Sequence, residues 1–234
     1  MGEVKLFCLP YAGGSAGIYL KWRKYLADSV KLYPVELAGR AGRIKEPYYD
    51  SMSDAVEDIA NQVENEIQNS EYAIFGHSMG SILTYELICR IQEKGLKLPK
   101  HAFFSGKHPP CVEQKGRNMH LLSDDELLRK AVSLGGIPEK LVIYRGLMEI
   151  AIKILRADYR VLETYGCNPV IQKLDFDISV LSGIDDQLST AEDMEKWKQY
   201  ADRKCTFYRL EGAHFYLNDN VEEVVNIINN TLVN

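Results

Sequence analysis

The sequence predicts an α/β fold, a mostly parallel central β-sheet flanked by helices, with a helical insertion in its second half. Short apolar or β-rich runs recur at Val4 to Leu9, Val30 to Val35, Tyr72 to Phe75, His101 to Ser105, Phe176 to Ser182 and Thr206 to Leu210. Patterns of helical period lie between most of them, and such alternation indicates a parallel sheet. The alternation breaks once, between about Gly116 and Pro169, where helical signals run on without a convincing strand. With 234 residues, 46% of them apolar, the chain can bury one sizeable core and is short for two. The expectation is a single domain over residues 1–234, with 116–169 inserted into it.

Taken in order, the first run, Val4 to Leu9, leads into the glycine-bearing loop Pro10-Tyr11-Ala12-Gly13-Gly14-Ser15. After the second run, Ala55, Ile59, Val63 and Ile67 fall four apart, which places them on one face of a helix. The third run passes directly into Gly76-His77-Ser78-Met79-Gly80, and Ile82, Leu83, Leu87, Ile88 and Ile91 then recur at helical spacing. Within the insertion, Ser123-Asp124-Asp125-Glu126 reads as a capping box, Gly135-Gly136 and Pro138 punctuate, and Leu147, Ile150, Ile154, Ala157 and Val161 mark a long second helix. Val221, Val224, Ile228 and Leu232 form the last stripe. An insertion between the fourth and fifth strands falls over the carboxyl edge of the sheet, where Ser78 emerges, and so reads as a lid. Two ordinary packing helices would leave the same pattern.

Composition excludes several classes. The balance of 28 basic and 33 acidic residues gives a net charge of −5, with no electrostatic footprint for nucleic acid. Five cysteines, odd in number and widely spaced, indicate neither a disulfide framework nor a metal site. The chain enters a strand-like run at once, Leu6 stands where a myristoylation signal needs Ser or Thr, and no apolar run approaches the ~18 residues of a membrane span. A cytoplasmic monomer without metal or cofactor is the expectation.

The chemistry concentrates at Ser78. The motif G-x-S-x-G arises by chance roughly 0.07 times in a chain of this length, from ordinary glycine and serine frequencies. Here strand, turn and helix stand in the order of a nucleophile elbow, a strained turn that exposes the serine Oγ. Serine is a poor nucleophile at neutral pH, so a histidine must take its proton and a carboxylate must orient that histidine. His77 adjoins the serine and should point away from it, and His101, His108 and His120 precede the insertion or lie at its start. His214, in Glu211-Gly212-Ala213-His214-Phe215, follows the last strand and fits the chain order Ser, Asp, His of α/β-hydrolases. For the acid, Ser182-Gly183-Ile184-Asp185-Asp186 offers two candidates, and similarity to the G-x-x-D that hydrolases of this fold often show after this strand favours Asp186 over Asp185. The backbone N–H groups of Met79 and of Ala12 are the expected oxyanion donors. A phosphate loop at Gly13-Gly14 lacks the lysine it would need.

These residues together resemble the type II thioesterases that accompany nonribosomal peptide and polyketide synthases, members of the α/β-hydrolase superfamily. Leu9-Pro10-Tyr11-Ala12-Gly13-Gly14-Ser15 is similar to the family's P-x-A-G-G loop, and Phe75-Gly76-His77-Ser78-Met79-Gly80 to its F-G-H-S-M-G elbow. Within the insertion, Leu134-Gly135-Gly136-Ile137-Pro138 resembles L-G-G-x-P, and Leu155-Arg156-Ala157-Asp158-Tyr159 resembles R-A-D-[FY], segments a generic esterase should lack. One departure is Ala38, which stands where the family commonly has the proline of P-G-R-x-x-R, although Arg40 and Arg43 remain. The resemblance implies hydrolysis of acyl groups held as thioesters on the phosphopantetheine arm of peptidyl or acyl carrier domains.

Carrier domains tend to be acidic, so attraction to this acidic chain requires a local basic patch, expected from Arg40, Arg43 and Lys45 or from Lys107, His108, Lys115 and Arg117. The serine constellation equally permits a carboxylesterase or lipase acting on diffusible esters. A noncatalytic binding module on a hydrolase scaffold is a third reading, because a fold does not fix a function.

Overall fold

The computed structural model describes residues 2–110, 112, 118–167 and 170–233. Six strands, β1 (Val4–Leu9), β2 (Val30–Pro34), β3 (Glu71–His77), β4 (His101–Ser105), β5 (Ile178–Gly183) and β6 (Cys205–Leu210), form one sheet in the order β2-β1-β3-β4-β5-β6. Every neighbouring pair is parallel. The chain leaves β1 for one edge and returns at β3 on its other side, so the direction of winding reverses between these two strands. Loops leaving their carboxyl ends diverge and open a crevice there. Leu9 lies in register with Gly76, and the loop after β1 therefore faces the elbow after β3.

The central strands are buried on both faces, as a helix-covered parallel sheet requires. Phe7, Leu9, Ile74, Phe104 and Val180 point to one side, where α1 (Met52–Gln68) and α2 (Met79–Glu93) pack. Leu6, Cys8, Phe75, Phe103 and Leu181 point to the other, against the 3₁₀ segment Ala16–Lys24 and α6 (Val221–Val233). Ala55, Ile59, Val63 and Ile67 are all buried along α1, as the spacing predicts. Between α1 and α6 in chain order come α3 (Asp124–Ser133), α4 (Arg145–Thr164) and the short α5 (Ala191–Glu195).

The first two of these, α3 and α4, lie between β4 and β5, and the expected boundaries of that insertion, Gly116 and Pro169, fall outside the described residues. Ser123 caps α3 through the Glu126 N–H, and the Glu126 carboxylate accepts from the Ser123 N–H, completing the expected capping box. The insertion has its own small core of Met119, Leu127, Ala131, Ile137, Met148, Ile152 and Leu155. The stripe on α4 departs from the sequence reading in part: Ile154 and Val161 are buried as expected, and the departure lies toward the start of the helix. Leu147 and Ile150 are 47% and 46% exposed, while Met148, Ile152, Leu155, Asp158 and Leu162 are buried. The buried face also includes a carboxylate, Asp158, which an apolar pattern does not pick out.

Candidate active site

Ser78 sits between β3 and α2 with φ 55° and ψ −115°, a strained conformation for a residue with a Cβ. The flanking glycines are required by close approach. A Cβ on Gly76 would lie 2.0 Å from the Gly80 carbonyl oxygen, and one on Gly80 would lie 2.2 Å from the Leu9 carbonyl oxygen of β1. The strain is held by the sheet. The Ser78 N–H donates to the Ser105 carbonyl at 2.8 Å, and the Ser81 hydroxyl reaches the carbonyls of Gly76 and Ser105.

His214, in the turn after β6, reaches Ser78 from above. Its Nε2 lies 2.9 Å from Ser78 Oγ, and its Nδ1 lies 2.8 Å from Asp186 Oδ2. The other Asp186 oxygen accepts the Leu188 N–H at 2.8 Å. Asp185 is exposed, and its N–H donates to the Gly212 carbonyl. The loop after β5 thus turns the second aspartate inward, and a Cβ on Gly183 would strike the Gly212 oxygen at 2.4 Å. With Nδ1–H donated to the carboxylate, Nε2 is left as an acceptor for the serine proton.

Opposite stands the loop after β1. The Gly14 N–H donates to the Tyr11 carbonyl at 2.9 Å, and Gly13, third in the turn, has φ 80°. This is the geometry of a type II turn, which needs a residue free to adopt positive φ. Ala12 is its second residue and lines the same cavity as Ser78 and His214. Met79 opens α2, where the first N–H groups of a helix have no intrahelical partner. Met79 directly follows the elbow and Ala12 lies on the facing loop, so the two expected donors come from opposite sides of the crevice.

Ser78 opens on a cavity of about 1050 Å³. Its roof comes from the insertion and is mostly apolar, with Met119, Leu134, Ile137 and Leu155 beside Lys130 and Ser133. The opposite wall is polar, with Gln187, Thr190, Asp193 and Lys196. Lys107 and His108, expected on an exposed patch, are instead buried and line this cavity. Burial, aided by Lys107, pushes the His108 imidazole down to about 4, so it is neutral near pH 7.

The sequence reading missed two buried polar arrangements. His77 makes no hydrogen bond to Ser78. Its Nδ1 lies 2.8 Å from Ser105 Oγ, which is 2.5 Å from the Tyr216 hydroxyl, and its ring centroid is 5.2 Å from that of His214. Burial and the neighbouring His214 hold it well below its ordinary pKa, hence neutral. The second is Arg40, expected to be an exposed docking residue. It is 2% exposed and bound bidentately to Asp158 of α4 at 2.6 and 2.7 Å. Arg43 likewise is engaged with Asp58 and Glu46. An aspartate inside an amphipathic helix, with an unassigned arginine upstream, was the available signal for the first pair. Lys115 and Arg117 lie outside the described residues.

Among the described residues, no group of three or more His, Cys, Asp or Glu side chains is arranged to hold a metal ion, and no helix is long and apolar enough to cross a membrane.

Comparison with known proteins agrees with this geometry. The family model of a thioesterase domain matches residues 4–232. The chain is 35% identical to ClbQ of the colibactin nonribosomal peptide and polyketide pathway, with a TM-score of 0.94 over 99% of this chain and 98% of that one. It is 31% identical to the type II thioesterase BorB of the borrelidin cluster, with a TM-score of 0.89 over 98% and 93% of the two chains. A Brevibacillus parabrevis protein named linear gramicidin dehydrogenase LgrE is 34% identical over 98% of this chain and 88% of its own length. The dehydrogenase of that last name is not carried over, since the aligned span is the one the thioesterase model matches. A parallel sheet with a serine elbow at its switch point, matched along nearly its whole length by such relatives, places this chain in the thioesterase family, among the type II thioesterases of the α/β-hydrolase fold.

Proposed function

We propose that this enzyme hydrolyses acyl groups from the phosphopantetheine arm of carrier domains, clearing a nonribosomal peptide or polyketide synthase of stalled chains. The observation that carries the reading is the line Asp186, His214, Ser78, with spacings of 2.8 and 2.9 Å, at the floor of a large cavity with a mostly apolar roof. The pathways named for ClbQ and BorB support the choice of substrate.

Ser78 Oγ attacks the thioester carbonyl while His214 Nε2 takes its proton. The imidazolium is stabilised by Asp186, and the oxyanion by the N–H groups of Met79 and Ala12. Collapse breaks the C–S bond, and His214 returns the proton to the departing thiolate. Water, deprotonated by the same nitrogen, then attacks the acyl-enzyme and releases the carboxylic acid, restoring Ser78. Removing one oxyanion donor typically costs about 10² to 10³ in rate, so both donors matter to turnover. Residues 116–169 act as a lid over this chemistry within a single domain of residues 1–234, and the enzyme works as a cytoplasmic monomer.

Mass spectrometry of acyl-loaded carrier domains tests the reading. Wild type should strip the acyl group, and Ser78→Ala should lower the rate by at least about 10⁴-fold with an unchanged melting temperature. A higher kcat/KM for a matched small ester than for the acyl carrier would instead assign a carboxylesterase.

A further inference from the structure

Asp158 and Arg40 form a buried ion pair that the chemistry above does not use. Both side chains are nearly inaccessible, and they join three segments distant in sequence. Asp158 Oδ2 accepts the N–H of Gly13 at 2.7 Å as well as Arg40 Nη1 at 2.7 Å, while Oδ1 accepts Arg40 Nη2 at 2.6 Å. Arg40 Nη1 also donates to the Gly14 carbonyl at 3.0 Å. Two peptide groups of the loop after β1 are thereby gripped, Ala12–Gly13 by its N–H and Gly14–Ser15 by its C=O. Leu155, one turn before Asp158 on α4, closes against the same residue, since a Cβ on Gly13 would lie 2.7 Å from its Cδ2.

The turn so held carries Ala12. Type I and type II turns differ by a flip of the central peptide, here the one between Ala12 and Gly13. A carboxylate facing the Gly13 N–H favours the observed orientation, because the flipped peptide would present the Ala12 carbonyl oxygen to a negative charge. A lone carboxylate beside an oxyanion hole would also oppose the charge that develops there, and Arg40 cancels it. A buried pair tolerates joint removal better than loss of one partner, because a single deletion leaves an uncompensated charge.

We propose that Asp158, neutralised by Arg40, is a positioning residue for the oxyanion-hole loop, so that α4 sets the Ala12 donor as well as roofing the cavity. This rests on the proposed role of the Ala12 N–H. In transition-state terms, the pair acts on the tetrahedral intermediate and hardly on the bound ground state, so its loss lowers kcat and leaves KM nearly unchanged.

The test compares wild type, Arg40→Met/Asp158→Asn, which keeps an uncharged acceptor for Gly13, and Arg40→Met/Asp158→Leu, which removes it. The substrate is an acyl thioester of N-acetylcysteamine, and folded enzyme is counted by the endpoint stoichiometry of fluorophosphonate labelling at Ser78. The Leu double variant should lose 30- to 100-fold in kcat with KM within about threefold, approaching the loss of one oxyanion donor. The Asn double variant should recover part of that loss. Affinity for a trifluoromethyl ketone, which binds as a tetrahedral adduct, should fall by the same factor as kcat. Arg160→Gln, which removes an exposed contact of α4 to Asp50, should leave both unchanged. The proposal is overturned if the Leu variant keeps wild-type kcat and ketone affinity per labelled site, if only KM rises, or if Arg160→Gln has an equal effect. If wild type fails on carrier domains yet turns over the small thioester, the substrate reading falls while this comparison still stands.

Discussion

The two sides of the crevice are built differently. The elbow that presents Ser78 is held by the sheet and the first turn of α2: its N–H is tied to β4, the Ser81 hydroxyl reaches the Gly76 and Ser105 carbonyls, and its two glycines admit backbone oxygens of α2 and β1 at distances no Cβ allows. The facing loop, which presents the Ala12 N–H, is held by side chains from outside the sheet, Asp158 and Leu155 of α4 and Arg40 from the loop after β2. Backbone packed against backbone cannot yield, whereas a turn gripped by side chains moves with the element that carries them. Ser78 is therefore insulated from the insertion, and the loop of Ala12, the second of the two proposed oxyanion donors, is coupled to it.

Glycine substitutions test this contrast most severely. Gly80→Ala places a Cβ against the Leu9 carbonyl, where no side chain can rotate away. A cost above about 4 kcal/mol is expected, which for a chain of this size lowers Tm by about 10 °C or more. No second substitution should restore it. Calorimetry of a Gly80→Ala protein that melts like wild type would refute the rigid elbow.

Gly13→Ala should do less. Its Cβ meets the end of the Leu155 side chain, and the φ of 80° adds roughly 1 to 2 kcal/mol of strain. About a tenfold loss of kcat is expected, of which Leu155→Ala in the same chain recovers a part by making room. Steady-state kinetics on a small thioester decide it. Equal kcat for the single and double variants would mean that α4 does not press on this loop.

How much of this was legible in the sequence follows the same division. Strand periodicity located all six strands, two of them, Val4–Leu9 and His101–Ser105, to the residue, because backbone burial on both faces leaves continuous apolar runs. The order Ser78, Asp186, His214 was readable because each lies in a turn directly after an apolar strand. Choosing Asp186 over Asp185 rested on similarity to the G-x-x-D of such hydrolases alone, whereas in the fold it is burial that separates them. The side-chain grip on the loop was not readable. Arg40 and Asp158 are 118 positions apart, and a charged residue beside glycines reads as solvent-exposed until its partner is known. The α4 stripe was read only in part, since Ile154 and Val161 are buried as expected while Asp158, a member of the same buried face, carries no apolar signal.

The smallest expected effect concerns acid, and it falls on the sheet side of the comparison. His77, His101 and His108 lie on β3, on β4 and in the loop leaving β4, and burial is the leading cause that lowers each of them. His101 is lowered from 6.5 to about 4, with Lys100 assisting burial and Asp177 opposing it. The unfolded chain binds protons at these sites more readily than the native one, so stability is complete above the unfolded value near 6.5 and declines as pH falls toward 4. At pH 5 each histidine lowered to about 4 should cost about 2 kcal/mol, or a few degrees of Tm. His101→Gln retains a hydrogen-bonding group for Ser179, whose hydroxyl lies 2.8 Å from His101 Nε2, but has nothing to protonate. It should therefore lose less Tm than wild type between pH 7 and pH 5, by about 4 to 8 °C in scanning calorimetry. An unchanged drop would move the acid sensitivity off His101 and to other groups.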